Sequence, residues 1–327
     1  MSFSRLSLAV EGGQLVLPSE GRIAVFAPTS ATDLSALPRD RVLVVTGMKP
    51  DYDAFSQAGY DVAVTAEGAF TAAVACLTRA KAEARALVAA ASDCAELIIV
   101  DGQKNDGADS MLKDCKRRVY LAGSFSKAHG KLFWFEGGDF ADWKPTGETA
   151  IEGGFVTRPG VFSADGIDPA SAALVAAFPE KLGRNVADLG AGWGFLSNNI
   201  LTRDEIETLY LVEANHTALE CAKQNIDDAR AEFHWADATA WEPRAKMNAV
   251  VMNPPFHSGR AADPGLGKAF IAAAARMLAP SGQLWMVANR HLPYEATLES
   301  IFAKVDEVAG DNRFKILRAE RPARAGR

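Results

Sequence analysis

The sequence lacks the features that mark several large classes of protein. No apolar run reaches the roughly 18 residues of a membrane-spanning helix. The first thirty residues contain no basic segment followed by a continuous apolar stretch, so we expect no secretory signal. The cysteines are far apart and include no Cys-x-x-Cys pair: Cys76, Cys94, Cys115 and Cys221. This spacing argues against a metal site and a disulfide framework, and it favours a reducing, cytoplasmic setting.

The chain also has no excess of positive charge. Its formal net charge is −6, and it has 48% hydrophobic and 23% charged residues, the balance of an ordinary globular protein. A nucleic-acid partner would therefore have to be met by a local basic patch. The length of 327 residues is enough for two domains.

The first half of the chain alternates short apolar runs with a long alanine-rich stretch. The runs predict buried strands at residues 23–26, 42–46, 61–65 and 97–101, and the alanine-rich stretch predicts a helix over residues 69–91. We therefore expect an α/β domain over residues 1–145. Because none of these strands runs into a glycine-rich loop, we expect no cofactor there.

The second half, residues 150–327, begins within a glycine-rich linker region at 137–157 and repeats the α/β alternation from Arg184 onward. Strands are predicted at residues 186–189, 209–213, 233–236, 249–252, 284–288 and 314–317, with helices at 195–201, 217–226, 270–278 and 296–305. The expected fold class is α/β, with two tandem Rossmann-like domains. In the second half, the carboxyl ends of the strands are expected to present their loops to one crevice. The repetition suggests a duplication in which only the second copy retains chemistry.

One strand of the second half ends in a glycine-rich loop. The pattern is Asp188-x-Gly190-x-Gly192-x-Gly194 at a strand-to-helix junction, where glycine allows a tight turn and a close approach of ligand to backbone. Phe195 stands where the dinucleotide fingerprint needs Gly or Ala, and no Gly-Lys-Ser/Thr follows to make a P-loop. The arrangement resembles the cofactor loop of class I S-adenosylmethionine-dependent methyltransferases.

Two acidic residues end the next two predicted strands. Glu213 lies 25 residues after Asp188, and Asp237 lies 24 residues after Glu213. A carboxylate at the first position can accept hydrogen bonds from both ribose hydroxyls of an adenosine, and one at the second can accept from the adenine amino group. With the glycine loop, these acids predict that S-adenosyl-L-methionine binds in the second half.

The fourth strand of the second half ends in Asn253-Pro254-Pro255-Phe256. The two prolines hold an extended turn and remove two N–H donors. The Asn253 side-chain oxygen and the Pro254 carbonyl can then orient the two N–H groups of a planar amine, and Phe256 can stack on a flat base or amide. We expect these four residues to form a catalytic site that works by positioning and electrostatics, without a covalent nucleophile.

The Asn-Pro-Pro-Phe motif resembles that of methyltransferases acting on adenine N6, guanine N2 or protein glutamine. Further segments are similar to bacterial ribosomal RNA guanine-N2 methyltransferases of the small-subunit RsmC type and their large-subunit relatives. These segments are TRPGVFS at residues 157–163, DGID at 165–168, NPPFH at 253–257, VANRHLPY at 287–294 and RFKILRA at 313–319. The resemblance extends over residues 155–320.

This resemblance implies methylation of an exocyclic guanine N2 in ribosomal RNA, with 16S rRNA or the small ribosomal subunit as partner. It implies that Phe162 and Ser163 help to close the cofactor site. It also implies that residues 1–145 are a degenerate methyltransferase-like domain that places RNA or supports the catalytic domain. Trp193 stands where a smaller residue is expected, which predicts crowding of the methionine portion of the cofactor.

Two stretches are basic enough to neutralise RNA phosphates. Residues 113–131 and residues 313–327 each contain six Lys or Arg against one acid. Two other functions stay open: an adenine-N6 or protein-glutamine methyltransferase, and a non-catalytic RNA-binding or assembly protein on a methyltransferase scaffold. The intact glycine loop and Asn-Pro-Pro-Phe motif speak against the non-catalytic scaffold.

Overall fold

The computed structural model describes residues 4–145, 147–255, 257–258, 261–262 and 264–323. The chain forms two compact units, Met1–Gly147 (unit 1) and Glu148–Arg327 (unit 2). The boundary between them falls inside the glycine-rich segment 137–157. Within the described residues, no helix combines the length and the apolar character needed to cross a membrane.

Unit 1 is built on one seven-stranded sheet. Its helices are α1 (Arg5–Glu11), α2 (Lys49–Gln57), α3 (Lys81–Cys94) and α4 (Ala108–Lys116), with single 3-10 turns at Arg39–Arg41, Lys104–Asp106 and Ala141–Trp143. Its strands are β1 (Ile23–Phe26), β2 (Val42–Val45), β3 (Asp61–Ala63), β4 (Phe70–Cys76), β5 (Ala95–Gln103), β6 (Leu121–Lys127) and β7 (Gly130–Glu136). The strand order is β3-β2-β1-β4-β5-β7-β6, and β7 runs antiparallel to both neighbours.

The alanine-rich segment of unit 1 divides into a strand and a helix, so the prediction of one helix over residues 69–91 is wrong. Phe70–Cys76 is the central strand β4, paired in parallel with β1 and β5. Ala72, Ala73 and Ala75 are fully buried there. Position at the centre of a sheet covered on both faces therefore overrides the helix propensity of alanine.

The hairpin of β6 and β7 is a second feature of unit 1 that the sequence does not predict. β6 carries only half-buried and exposed side chains, and its sequence has no continuous apolar run. Its Gly123 lies against the ring of Trp134 on β7, where an added Cβ would stand 2.1 Å from the ring. The pairing depends on this close cross-strand contact, which the β6 sequence alone does not indicate.

Unit 2 repeats this architecture with longer loops. Its helices are α5 (Pro169–Ala176), α6 (Phe195–Ile200), α7 (His216–Asn225), α8 (Pro264–Met277) and α9 (Glu295–Ile301), with a 3-10 turn at Glu152–Gly154. The main-sheet strands are β10 (Asn185–Leu189), β11 (Thr208–Glu213), β12 (Ala231–Trp235), β13 (Met247–Met252), β16 (Leu278–Asn289), β17 (Phe302–Gly310) and β18 (Phe314–Pro322). Two short hairpins pair β8 (Thr149–Ala150) with β9 (Val156–Thr157), and β14 (His257–Ser258) with β15 (Ala261–Ala262).

The main sheet of unit 2 has the order β12-β11-β10-β13-β16-β18-β17, which matches the order in unit 1 strand for strand. Only β18 runs antiparallel to its neighbours among these strands. The buried strands, such as β10 and β13, have apolar cores on both faces. The predicted fold class, α/β with two Rossmann-like units, is confirmed.

The late helix predicted over residues 296–305 ends earlier than expected. α9 stops at Ile301, and Phe302 begins β17 at the edge of the sheet. Phe302 is buried, whereas Lys304 and Glu307 are exposed along the strand. Charged residues protect an edge strand from pairing with other chains. Because they interrupt the apolar run, the sequence pattern does not predict this strand.

Candidate active site

The candidate active site lies at the edge of the unit 2 sheet where the parallel strands end. β10 to β13 all run in the same direction, and the strand order reverses beside β10, so their carboxyl ends open onto a crevice. The glycine loop, the segment before α5 and the end of β13 line one cleft there. Its walls include Phe162, Ser163, Asp168, Ser171, Gly192 and Asn253.

The three glycines of the loop have different surroundings. All have positive φ, with values of 76° at Gly190, 58° at Gly192 and 93° at Gly194. Gly194 caps α6, and a Cβ there would stand 2.8 Å from Ile226, so its role is packing. A Cβ at Gly192 would meet no atom within 4 Å. Gly192 is therefore the glycine whose missing side chain leaves room for a ligand beside the backbone.

Asp188 lies beneath this loop and not in the wall of the cleft. Its side chain is fully buried, Oδ2 accepts a 2.7 Å hydrogen bond from the Ser197 hydroxyl, and Oδ1 has no partner among the described residues. Burial raises the pKa of Asp188 to about 7, the Ser197 bond opposes that rise, and the negative charge of Glu213 adds to it. Asp188 therefore keeps its proton to a higher pH than an exposed aspartic acid does.

Glu213 ties the end of β11 to the glycine loop. One carboxylate oxygen accepts from the Gly192 N–H at 2.8 Å, and the other accepts from the Asn215 N–H at 2.7 Å. Burial raises its pKa, while these backbone bonds oppose the rise. Each oxygen keeps a lone pair for a further donor, such as a hydroxyl group.

Asp237 follows β12 on the far side of Glu213. The Ala236 N–H donates to the Glu213 carbonyl at 3.0 Å, which joins the two strand ends. Asp237 Oδ1 accepts from the backbone N–H and the hydroxyl of Thr239, at 2.8 and 2.7 Å. The described residues donate no hydrogen bond to Oδ2, which leaves this oxygen able to accept from an amino group.

Asn253 stands at the end of β13, and the nitrogen of its side-chain amide is hydrogen-bonded. Its Nδ2 donates to Asp168 Oδ2 at 2.9 Å and to Ser171 Oγ at 2.8 Å. Its Oδ1 is buried and has no partner among the described residues. Pro254 is buried and Pro255 is exposed. The predicted stacking residue Phe256 lies outside the described residues.

Phe162 and Ser163 are both placed in the wall of the cleft. Phe162 is 62% exposed, and Ser163 has a φ of 53° with its hydroxyl donating to the Gly166 carbonyl at 2.7 Å. The Trp193 indole donates to the Phe162 carbonyl at 3.0 Å and packs against Phe155, with ring centroids 5.0 Å apart. The buried Trp193 therefore anchors this segment to the glycine loop.

Three polar residues that the sequence analysis did not select support this arrangement. Asp168 and Ser171 hold Asn253, and Asn225 donates to the Trp193 and Val156 carbonyls at 2.8 and 2.9 Å. Asp168 was recognisable as a helix start, because Asp followed by Pro169 is a common N-cap and first-turn pair. Its contact with Asn253 spans 85 residues of sequence and has no local signal.

The two basic stretches are only partly available to a ligand. Lys315 is buried and donates to the Leu292 carbonyl and to Glu295, so the C-terminal stretch is not an open basic surface at that position. Arg318 is paired with Asp306 at 2.8 Å. Arg324 and Arg327 lie outside the described residues.

In unit 1 the basic stretch contains a side chain held by short hydrogen bonds to a carboxylate and several side chains that are exposed to solvent. Arg118 makes two hydrogen bonds to Asp142, at 2.6 and 2.7 Å, and stacks on Trp143. Lys113, Lys116 and Arg117 project from α4 and the residue that follows it, and all three are exposed, although Arg117 also lies 3.8 Å from the Asp114 carboxylate in an ion pair. These three residues form the α4 basic face.

The groups around the cleft fit an adenosyl ligand. Open space beside the Gly192 backbone adjoins the Glu213 carboxylate. At Asp237, Oδ2 receives no hydrogen bond from the described residues. A sugar offers hydroxyl donors and adenine offers an amino donor, which are what these acceptors need. Among the described residues, no group of three or more His, Cys, Asp or Glu could hold a metal ion.

Comparison with known proteins places the chain among methyltransferases. Residues 152–318 match the family model of the methyltransferase small domain. The ribosomal RNA small subunit methyltransferase C of Hahella chejuensis is 31% identical over 247 residues, which cover 72% of each chain. The ribosomal RNA large subunit methyltransferase G of Streptomyces avermitilis is 35% identical over 181 residues, or 54% of this chain and 47% of the relative. This chain thus spans about half the length of that large-subunit relative.

A solved structure shares the fold of nearly the whole chain. It is the Thermus thermophilus 16S rRNA N2 methyltransferase, in complex with AdoMet and guanosine, with a TM-score of 0.78 and 24% identity over 97% of this chain and 91% of that one. Its coverage includes both units. The chain belongs to the methyltransferase small-domain family and, within it, to the ribosomal RNA small subunit methyltransferase C family of class I S-adenosylmethionine-dependent enzymes.

Proposed function

We propose that this chain transfers the methyl group of S-adenosyl-L-methionine to the exocyclic N2 of a guanine in ribosomal RNA of the small subunit. The observation that carries the proposal is the buried Oδ1 of Asn253, which has no hydrogen-bond partner among the described residues and lies at the cleft formed by the glycine loop. A buried acceptor without a donor is costly unless a ligand satisfies it. An exocyclic amine supplies the missing N–H.

The cofactor would be held by the ends of β10, β11 and β12. Gly190 and Gly192 leave space beside the backbone, Glu213 would accept hydrogen bonds from the ribose hydroxyls, and Asp237 would accept one from the adenine amino group. Asp188 and Gly194 support the loop from below, and Phe162 and Ser163 cover the other side of the cleft. When bound, S-adenosyl-L-methionine supplies an electrophilic methyl group, so no covalent enzyme intermediate is needed.

Asn253 and the proline turn orient the target base. Asn253 Oδ1 accepts from one N–H of the amine, the Pro254 carbonyl accepts from the other, and Phe256 stacks on the ring. Holding the nitrogen in line with the methyl group is catalysis by positioning. The Hahella relative named for the small-subunit reaction, and the guanosine bound to the Thermus enzyme, favour guanine over adenine or glutamine as the target.

Unit 1 repeats the fold of the cofactor site without its acceptors. The Ala27 N–H donates to the Val45 carbonyl at 2.8 Å, as the Gly190 N–H does to the Val212 carbonyl. Ala27 even keeps a positive φ of 51°. Thr46, however, stands at the position of Glu213, and its short side chain accepts a hydrogen bond from the Met48 N–H at 3.2 Å. We therefore propose one cofactor per chain, bound in unit 2.

Unit 1 is proposed to place the RNA through the α4 basic face. Lys116→Ala with Arg117→Ala should weaken RNA binding and lower its dependence on salt, because fewer counterions are released. Lys181→Ala with Arg184→Ala in unit 2 removes the same charge from exposed positions and serves as the control. Equal RNA affinity of the two double variants across a salt series would contradict this role.

The proposed reaction is tested by nucleoside mapping in cells. In a strain that lacks the gene, 16S rRNA should lose one N2-methylguanosine, and a plasmid carrying the wild-type gene should restore it. The Asn253→Ala gene, expressed to the same level, should not restore it. Loss of N6-methyladenosine or of a methylated glutamine instead would assign the chain to one of the other amine substrates, and an unchanged modification pattern would contradict catalysis on RNA.

A further inference from the structure

The side-chain amide of Asn253 has two ends of nearly equal shape and opposite hydrogen-bonding character. One end, Oδ1, accepts, and the other, Nδ2, donates. Rotation of the amide by half a turn would present a donor where the target amine needs an acceptor. Catalysis on an amine therefore depends on what holds the amide in one of its two orientations.

Among the described residues, two neighbours accept a hydrogen bond from Nδ2, and one of them distinguishes the two ends of the amide. The Ser171 hydroxyl, 2.8 Å away, is able to donate or to accept. The Asp168 carboxylate, 2.9 Å away, only accepts, so an Asn253 oxygen in that place would face a negative charge. The Asp168 oxygen, as an acceptor at this position, therefore fixes Nδ2 toward itself and leaves Oδ1 without a donor among the described residues.

The Asp168 carboxylate is itself held in place. Its Oδ2 also accepts from the Ser171 backbone N–H at 2.8 Å, as the N-cap of α5, with Pro169 at the first helical position. The same oxygen thus caps the helix and receives Asn253. The cap hydrogen bond and the fixed φ of Pro169 therefore place this oxygen without help from a ligand.

We propose that Asp168 is a positioning residue that sets Asn253 with its oxygen toward the exocyclic amine, and that it thereby selects a base carrying an amino group at that point. The proposal rests on the proposed function for the identity of the amine, and its geometric part stands apart from activity. It predicts that the chain binds guanosine more tightly than inosine, because inosine lacks the N2 amino group and leaves Oδ1 without a donor. A reversed amide would remove that preference.

The test compares three variants of the full chain. Asp168→Ala removes the acceptor and should lower the single-turnover methylation rate by about 10- to 100-fold through misplacement of the amide, with S-adenosylhomocysteine affinity unchanged. Asp168→Asn keeps an oxygen that can serve both N–H groups and should restore most of the rate. Ser171→Ala keeps the backbone cap and should cause a smaller loss than Asp168→Ala.

A purely structural role of Asp168 predicts different results. Asp168→Ala also removes a helix cap, so Ser4→Ala, which removes the equivalent cap of α1 in unit 1, provides the matched control for thermal stability. If Asp168 acts only through the fold, cofactor affinity and rate would fall together and the guanosine-to-inosine preference would persist. That outcome, or a failure of Asp168→Asn to restore the rate, would overturn the proposal.

A spectroscopic measurement separates this inference from the proposed function. In the ¹H–¹⁵N spectrum of the wild-type chain, the side-chain amide protons of Asn253, assigned by difference from Asn253→Asp, should exchange slowly with solvent, and Asp168→Ala should remove this protection. Slow exchange together with no methylation of guanine would refute the substrate and leave the orientation intact. Equally fast exchange in the wild type and in Asp168→Ala would refute the orientation itself.

Discussion

The buried carboxyl group of Asp188 should make the stability of unit 2 fall as pH rises. Burial raises the pKa of Asp188 to about 7 in the folded chain, from an ordinary value of 3.8. Between these two values the folded state binds a proton that the unfolded state has lost, so an increase in pH favours unfolding. Asp188→Asn removes this titration and keeps an oxygen that can accept from Ser197.

The size of the effect follows from the difference between the two pKa values. A separation of about three pH units corresponds to roughly 4 kcal/mol over the full range. Between pH 5 and pH 8 the part expected is about 2–3 kcal/mol, because some of the titration occurs below pH 5. The stability of the wild type relative to Asp188→Asn should decrease by that amount over this interval.

Two assays check this expectation. Urea unfolding of the wild type and of Asp188→Asn at several pH values gives the change in their free-energy difference, and the ¹³C signal of the Asp188 carboxyl group gives its pKa directly. Asp165→Asn, at an exposed position of unit 2, controls for the loss of one negative charge. A free-energy difference that is constant from pH 5 to pH 8, or a carboxyl signal that titrates near pH 4, would refute the reasoning.

The remaining predictions concern the cofactor and the base. Titration of the full chain with S-adenosylhomocysteine should give one site, and two sites per chain would contradict the assignment to unit 2 alone. Gly192→Ala should weaken this binding at least about tenfold because its Cβ enters the open space beside the loop, whereas Gly68→Ala, at another positive-φ glycine with open surroundings, should leave binding unchanged. Asn253→Ala should lower single-turnover methylation by about 10²–10³-fold, by analogy with loss of an oxyanion-hole donor, with cofactor affinity retained; near wild-type turnover would reduce the Asn-Pro-Pro-Phe motif to a turn.

The sequence predicts the fold well where apolar runs are short and bounded by turn residues. The strands β1, β2, β10, β11 and β13 all lie within one or two residues of their predicted positions, because each is buried on both faces. The sequence does not predict β4, because a central strand rich in alanine has the composition of a helix. The edge strands β6 and β17 are not predicted either, because their charged and small residues leave no apolar run.

The site shows a similar division between local and distant information. The sequence predicts that the glycine loop, Glu213 and Asp237 lie at one edge of the sheet. Each stands at the end of a strand, and the ends of parallel strands meet at the same edge. The sequence does not reveal that Gly192 faces the open space while Gly194 packs against Ile226. It also does not reveal that Lys315 is buried, since a basic stretch and a sheet strand coincide there.

The central claim is that this chain methylates an exocyclic guanine nitrogen in ribosomal RNA. The most direct test incubates the purified full chain with S-adenosylmethionine carrying a deuterated methyl group and with 16S rRNA, free or assembled in small subunits from the deletion strain. We expect labelled N2-methylguanosine in the digested RNA with the wild type and almost none with Asn253→Ala. Label in N6-methyladenosine or in ribosomal protein, or equal label with Asn253→Ala, would contradict it.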